Sequence, residues 1–172
     1  MTTYAQLDKL GKEIGFISEM KRRGFVHHKK FCFVRDRHPF YDMVTGQIFS
    51  TGGSMRVWVT CWSPAVYEEF DMKEFPSRAA VLTGGAISPE GFPEWHDWPI
   101  ENQSQTKTSL ATLLVVIDRY AIPWFDRIQT ADDYLPLFDE MPFWKPGRKE
   151  KEEIRARLEK ALVSKAQAGH VG

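Results

Sequence analysis

Period-two alternation runs through Met55-Arg-Val-Trp-Val-Thr-Cys-Trp62 and predicts a strand with two unlike faces. Met55, Val57, Val59 and Cys61 share one face, the core-facing choice; Arg56, Trp58, Thr60 and Trp62 share the other. That second face mixes rings with polar groups, so it is expected to lie under a helix or loop, or against a partner. Just upstream, Gln47-Ile-Phe-Ser50 is another β-prone run. The link Thr51-Gly52-Gly53-Ser54 between the two predicts a hairpin, because glycine accepts the positive φ that tight turns demand. Lys30-Phe-Cys-Phe-Val-Arg35 predicts a further strand. Residues 79–82 and Ala86-Ile87, around Gly84-Gly85, predict one more with a bulge or turn.

Three- and four-residue spacing predicts the helices. Tyr4, Leu7, Leu10 and Ile14 mark one over residues 3–14, capped by Thr3 and ended by Gly15 or Gly24. Leu110, Leu113, Leu114, Ile117 and Ala121 mark a long one over 106–122, widened by Val115, Val116 and Tyr120, so it should be largely buried. Pro123 is expected to stop it. Thr130 caps a short helix carrying Tyr134, Leu135 and Phe138, with Asp132 and Asp133 favourable in its first turn. After Pro146-Gly147 the composition shifts to a charged helix over 148–167. Its thin stripe of Ile154, Leu158, Ala161 and Leu162 suits weak docking, self-association or projection into solvent. The chain thus divides into one domain over 1–144 and a charged C-terminal helix and tail over 145–172.

Composition changes this picture little: 172 residues suffice for one domain, and balanced charge (23 Lys plus Arg, 23 Asp plus Glu) marks neither a nucleic-acid binder nor an acidic mimic. The distribution is uneven. Residues 20–38 hold seven Lys or Arg against Asp36, whereas residues 64–140 hold fourteen Asp or Glu against five Lys or Arg. Cys32 and Cys61 each lie in a strand-like run and read as buried, reduced thiols of a cytoplasmic protein. The N-terminus has no signal-peptide pattern, and the longest apolar stretch, residues 110–117, is far too short to span a bilayer.

Chemistry is hard to place. His27, His28, Cys32, Asp36 and His38 cluster in sequence, but their spacing fits no zinc pattern and cations surround them, so neither a metal nor another cofactor is expected. Gly52-Gly53 and Gly84-Gly85 lack the Lys-Ser/Thr of a phosphate loop. The adjacent pairs Glu68-Glu69, Asp132-Asp133 and Asp139-Glu140 point apart on regular elements and suit solubility better than acid–base work. Cys61 or Ser63 with His96 would serve a small hydrolase or transferase, although no strained nucleophile elbow is present. Arg22, Arg23, Lys29 and Lys30 of the 21–37 basic block, interleaved with Phe25, Phe31 and Phe33, would serve a nucleic-acid accessory protein.

Several features together resemble a family of small bacterial domains of unknown function: an N-terminal amphipathic helix, Gly24-Phe25 before the Lys30 to Val34 strand, and Gly84-Gly85 before a Trp-containing loop. The helix ending Ile122-Pro123-Trp124-Phe125, followed by Asp132-Asp133-Tyr-Leu135, completes the resemblance, which spans residues 4–140. It implies an α+β fold, an antiparallel sheet packed against the N-terminal and long helices, with the charged C-terminal helix as an extra. It implies no catalytic residue. Domains of this kind include binding proteins and toxin-neutralising immunity proteins. The expected function is therefore protein binding without catalysis, most concretely an immunity-type inhibitor that covers a toxin's active site. Its contacts would be Glu68, Glu69, Asp71, Glu94, Trp95, Asp97 and Trp98, acids steering a basic partner and rings anchoring it.

Overall fold

In the computed structural model, which describes residues 2–76, 83–140 and 145–168, Thr3 and Gln6 close a capping box at the start of helix α1 (Tyr4–Glu13). Gly15, at φ +77°, breaks the chain into α2 (Phe16–Arg22), and Gly24, at φ +85°, turns it into the first strand. Both glycines therefore act as stops.

Five strands follow in antiparallel order: β1 (Val26–His28), β2 (Phe31–Arg37), β3 (Phe40–Ile48), β4 (Ser54–Trp62) and β5 (Thr83–Ala86). The two-residue β6 (Trp98–Pro99) also pairs with β4. The chain is an α+β protein. The expected run at Gln47 proves to be the end of β3, whose first half is hidden from a pattern reading by Asp42, a charge at a core-facing position. Residues 79–82 of the expected fifth strand lie outside the described residues. Within β5, Gly84 (φ +143°) is required: a Cβ there would sit 2.0 Å from the Val59 carbonyl oxygen.

The long helix begins earlier than expected and passes through its expected stop. Asn102 accepts from the Gln105 main-chain N–H and starts α3 (Gln103–Val116), three residues before Thr106. A π-helical segment (Ile117–Ala121) leads into α4 (Ile122–Asp126), which contains Pro123. The wide turns before Pro123 absorb the hydrogen bond its ring cannot donate, so the helix bends onward instead of ending. Thr130 and Asp133 then form a second capping box for α5 (Ala131–Tyr134), and a 3-10 turn (Leu135–Glu140) carries Phe138 inward.

The sheet's inner face, with Phe31, Phe33, Val44, Val57, Val59 and Cys61, packs against Leu7, Phe16, Met20, Leu113, Ile117, Phe125 and Tyr134 in one core. At one end of its outer face, Val34, Tyr41, Met43 and Trp62 lie beneath Tyr67, Phe70 and Phe75. Those three rings belong to the acidic stretch after β4, and they make it a lid.

One charged group lies inside this packing. Asp42 has no exposed side-chain surface and accepts from Arg35 Nε (2.7 Å), Arg37 Nε (2.6 Å) and Arg37 Nη2 (2.6 Å). Arg35 also reaches Asp126 of α4 (2.7 Å), and Arg37 donates to the Ile128 carbonyl (2.9 Å).

Helix α6 (Arg148–Ala168) docks. Ile154 and Leu158 are buried in the main core, Arg157 donates to the Ala65 carbonyl (2.7 Å), and Lys165 donates to the Arg37 carbonyl (2.9 Å). The helix therefore shares the core of the preceding residues. Leu158→Ala should cost about 2 to 5 kcal/mol in a denaturant titration, the range for emptying a closed aliphatic site; a peripheral helix would lose little.

Candidate binding surface

At the other end of the outer face, alternation places Arg56 and Trp58 of β4 side by side with their inner-face neighbours turned away. Arg56 pairs with Asp97, donating from both Nε (2.9 Å) and Nη2. Its guanidinium lies 4.8 Å from the Phe49 ring centre and 3.3 Å from that of Trp95. Trp58 meets Trp95 edge to face, with centroids 5.9 Å apart and planes at 87°. Trp95 is nevertheless 68% exposed, the most exposed large apolar side chain among the described residues. A bare indole is thus held in one orientation by a stacked cation that Asp97 neutralises. Two exposed ring faces normally cost little to reorient; here the stacked cation and the crossed Trp58 ring remove that freedom before any partner arrives.

The expected contact residues separate into groups. Trp95 and Asp97 meet on Arg56, and neighbouring Glu94 is exposed, with its carboxylate accepting from Ser88 Oγ (2.9 Å). Trp98 does not belong with them. It is 2% exposed, packs in the main core and donates its indole N–H to the Ile87 carbonyl (3.0 Å), because pairing with Met55 turns it inward. It cannot anchor a partner, and its replacement by Ala would damage the core. Glu68, Glu69 and Asp71 are exposed but follow the Trp62 end of β4, about 20 Å along the strand from Arg56 at the usual rise per residue. Arg56, Trp58 and Phe49 were missed as supports, although alternation already puts Arg56 and Trp58 on the outer face.

The catalytic alternative is not assembled. Cys61 is fully buried on the inner face, and burial followed by the charge of Asp42 holds its thiol well above the ordinary range. Ser63 is also buried, and its Oγ accepts from the Ala65 main-chain N–H. His96 packs edge-on to Trp98, whose strand position faces Met55, so it sits at the far end of β4 from Cys61. Cys32, half-buried on the outer face, is pushed up to about 11 by burial.

The basic block is largely a structural clamp. Arg23 pairs with Glu19 (2.8 Å) and, through Nη2, with Asp118 (2.6 Å); Arg22 also pairs with Glu19, and Arg35 and Arg37 converge on Asp42. Phe25, Phe31 and Phe33 are buried, so no ring of the block is presented for base stacking. Lys29 and Lys30 remain exposed at the β1–β2 turn. His27 stacks on Phe33 (4.7 Å), and among the described residues no group of three His, Cys, Asp or Glu is gathered to hold a metal ion.

Native protein at neutral pH should resist iodoacetamide at Cys61 and incorporate label there only after unfolding, read by peptide mass spectrometry. Rapid native labelling would contradict the buried, protonated thiol. Compared with known proteins, the chain matches no family model, no curated protein and no solved structure.

Proposed function

We propose that this chain is a protein-binding domain of bacterial, cytoplasmic origin that acts without catalysis. Its finer form is an immunity-type inhibitor that covers the active site of a toxin. The resemblance to small bacterial α+β domains points the same way. The observation that carries the reading is Trp95, an exposed indole held in place by Arg56, Asp97 and Trp58 on the outer face of the sheet. Rigid exposed aromatics beside a paired arginine are the residues that dominate binding energy at protein interfaces, and holding them in advance lowers the entropy lost on association. Because Asp97 is paired with Arg56, Glu94 is the carboxylate beside the ring that favours approach of a basic partner.

Tagged protein incubated with nuclease-treated lysate of its own host and washed in high salt should retain one stoichiometric protein. Trp95→Ala should weaken that complex by roughly 2 kcal/mol or more while leaving the unfolding transition unchanged. A retained partner with nuclease or other toxic activity supports the immunity form. Equal affinity for Trp95→Ala and wild type would remove Trp95 as the anchor.

A further inference from the structure

The lid over the outer face alternates rings with carboxylates. Tyr67, Phe70 and Phe75 pack on Trp62, with ring centroids at 6.4, 4.9 and 4.6 Å. Between them Glu68, Glu69 and Asp71 are exposed, with Lys73 the cation among the described residues 67–76. Glu68 continues this acidic surface into a cleft of about 340 Å3 that it shares with Glu150 and Glu153 of α6. The cation of that cleft, Arg157, is engaged with the Ala65 and Val66 carbonyls. Charge complementarity therefore calls for a cationic occupant, and the half-buried rings offer it π faces.

A second observation narrows the occupant. Trp62 and Thr60 stand on the outer face, 0% and 5% exposed, and among the described residues neither Trp62 Nε1 nor Thr60 Oγ1 has a hydrogen-bond partner. Trp62 packs beneath the lid rings, and its Nε1 is buried. An indole N–H can only donate, and a buried donor left unpaired is costly. A cation alone does nothing for it. A peptide segment brings both complements, side-chain cations and main-chain carbonyl acceptors; a polyamine brings charge only.

We propose that residues 67–75 form a docking surface for a Lys- or Arg-bearing peptide segment of a partner protein. The segment's cations meet Glu68, Glu69 and Asp71, and one of its carbonyl oxygens accepts from Trp62 as the rings shift to admit it. This rests on the protein-binding reading above and gives the partner its chemistry.

The test titrates isotope-labelled full-length protein with acetylated, amidated nona-arginine and, separately, with spermine, following the indole N–H signal of Trp62 by NMR. The peptide should bind more weakly as salt rises and should move the Trp62 signal, whereas spermine should leave that signal in place. The triple variant Glu68→Gln, Glu69→Gln, Asp71→Asn changes only exposed side chains and should weaken the peptide about tenfold or more. Glu94→Gln, at the other end of β4, should leave it unchanged. An unmoved Trp62 signal at peptide saturation, or equal affinity for the triple variant, overturns the proposal. A host protein captured equally by wild type and triple variant overturns this surface while the protein-binding reading stands. Capture of no host protein by wild type removes that reading and this inference with it.

Discussion

Asp42 is a carboxylate with no exposed side-chain surface, near the start of the strand that pairs with both β2 and β4. A buried charge of this kind costs several kcal/mol unless its lone pairs are met, and here three guanidinium N–H groups meet them. Much follows from that requirement. Arg35 is the cross-strand neighbour of Asp42, so a one-residue slip between β2 and β3 would turn the carboxylate to the outer face and break the cluster. The same two arginines reach Asp126 and the Ile128 carbonyl, which fixes the end of α4 against the sheet beyond the π-helical segment. Lys165 then closes on the Arg37 carbonyl, tying the end of α6 to the same strand.

With the inner face committed to helices and this charge cluster, the outer face is where the molecule has surface to spare. Two short pieces of chain treat its two ends differently. The segment after β4 folds back over Trp62, leaving carboxylates outside and, among the described residues, the Trp62 N–H unpaired inside. The segment leading into β6 brings Trp95 and Asp97 onto Arg56 and leaves the indole in solvent. Each arrangement spends stability or solubility on a feature the fold does not need, which is why both are read as places for a partner.

The fold was legible wherever a regular period ran unbroken. Alternation in β4 assigned its faces correctly, and the Thr3 and Thr130 caps and the inward stripe of α3 followed from residue type and spacing. Where a charge or a proline interrupted the period, the reading failed: Asp42 concealed most of β3, and Pro123 suggested an end that the π-helical segment avoids. Asp42 is met by arginines across the β2–β3 pair and Pro123 by a change of helical pitch, pairing and geometry that hydrophobic spacing does not encode. The surface was half legible. Trp95 and Trp98 look alike in sequence, three residues apart, and only the pairing of Trp98 with Met55 separates core from surface. The ring spacing of Tyr67, Phe70 and Phe75 was visible, but its meaning required knowing that Trp62 lay beneath.

The most direct measurement is the unfolding free energy of Asp42→Asn beside that of Asp126→Asn. Both remove one carboxylate charge facing Arg35, but Asp42 is enclosed whereas the Asp126 side chain is 54% exposed. Asp42→Asn strands two half-buried guanidinium groups and should cost about 3 to 5 kcal/mol, whereas the exposed pair should be worth no more than about 1 kcal/mol. Equal, small losses in the two variants would show that the buried cluster does not organise the fold.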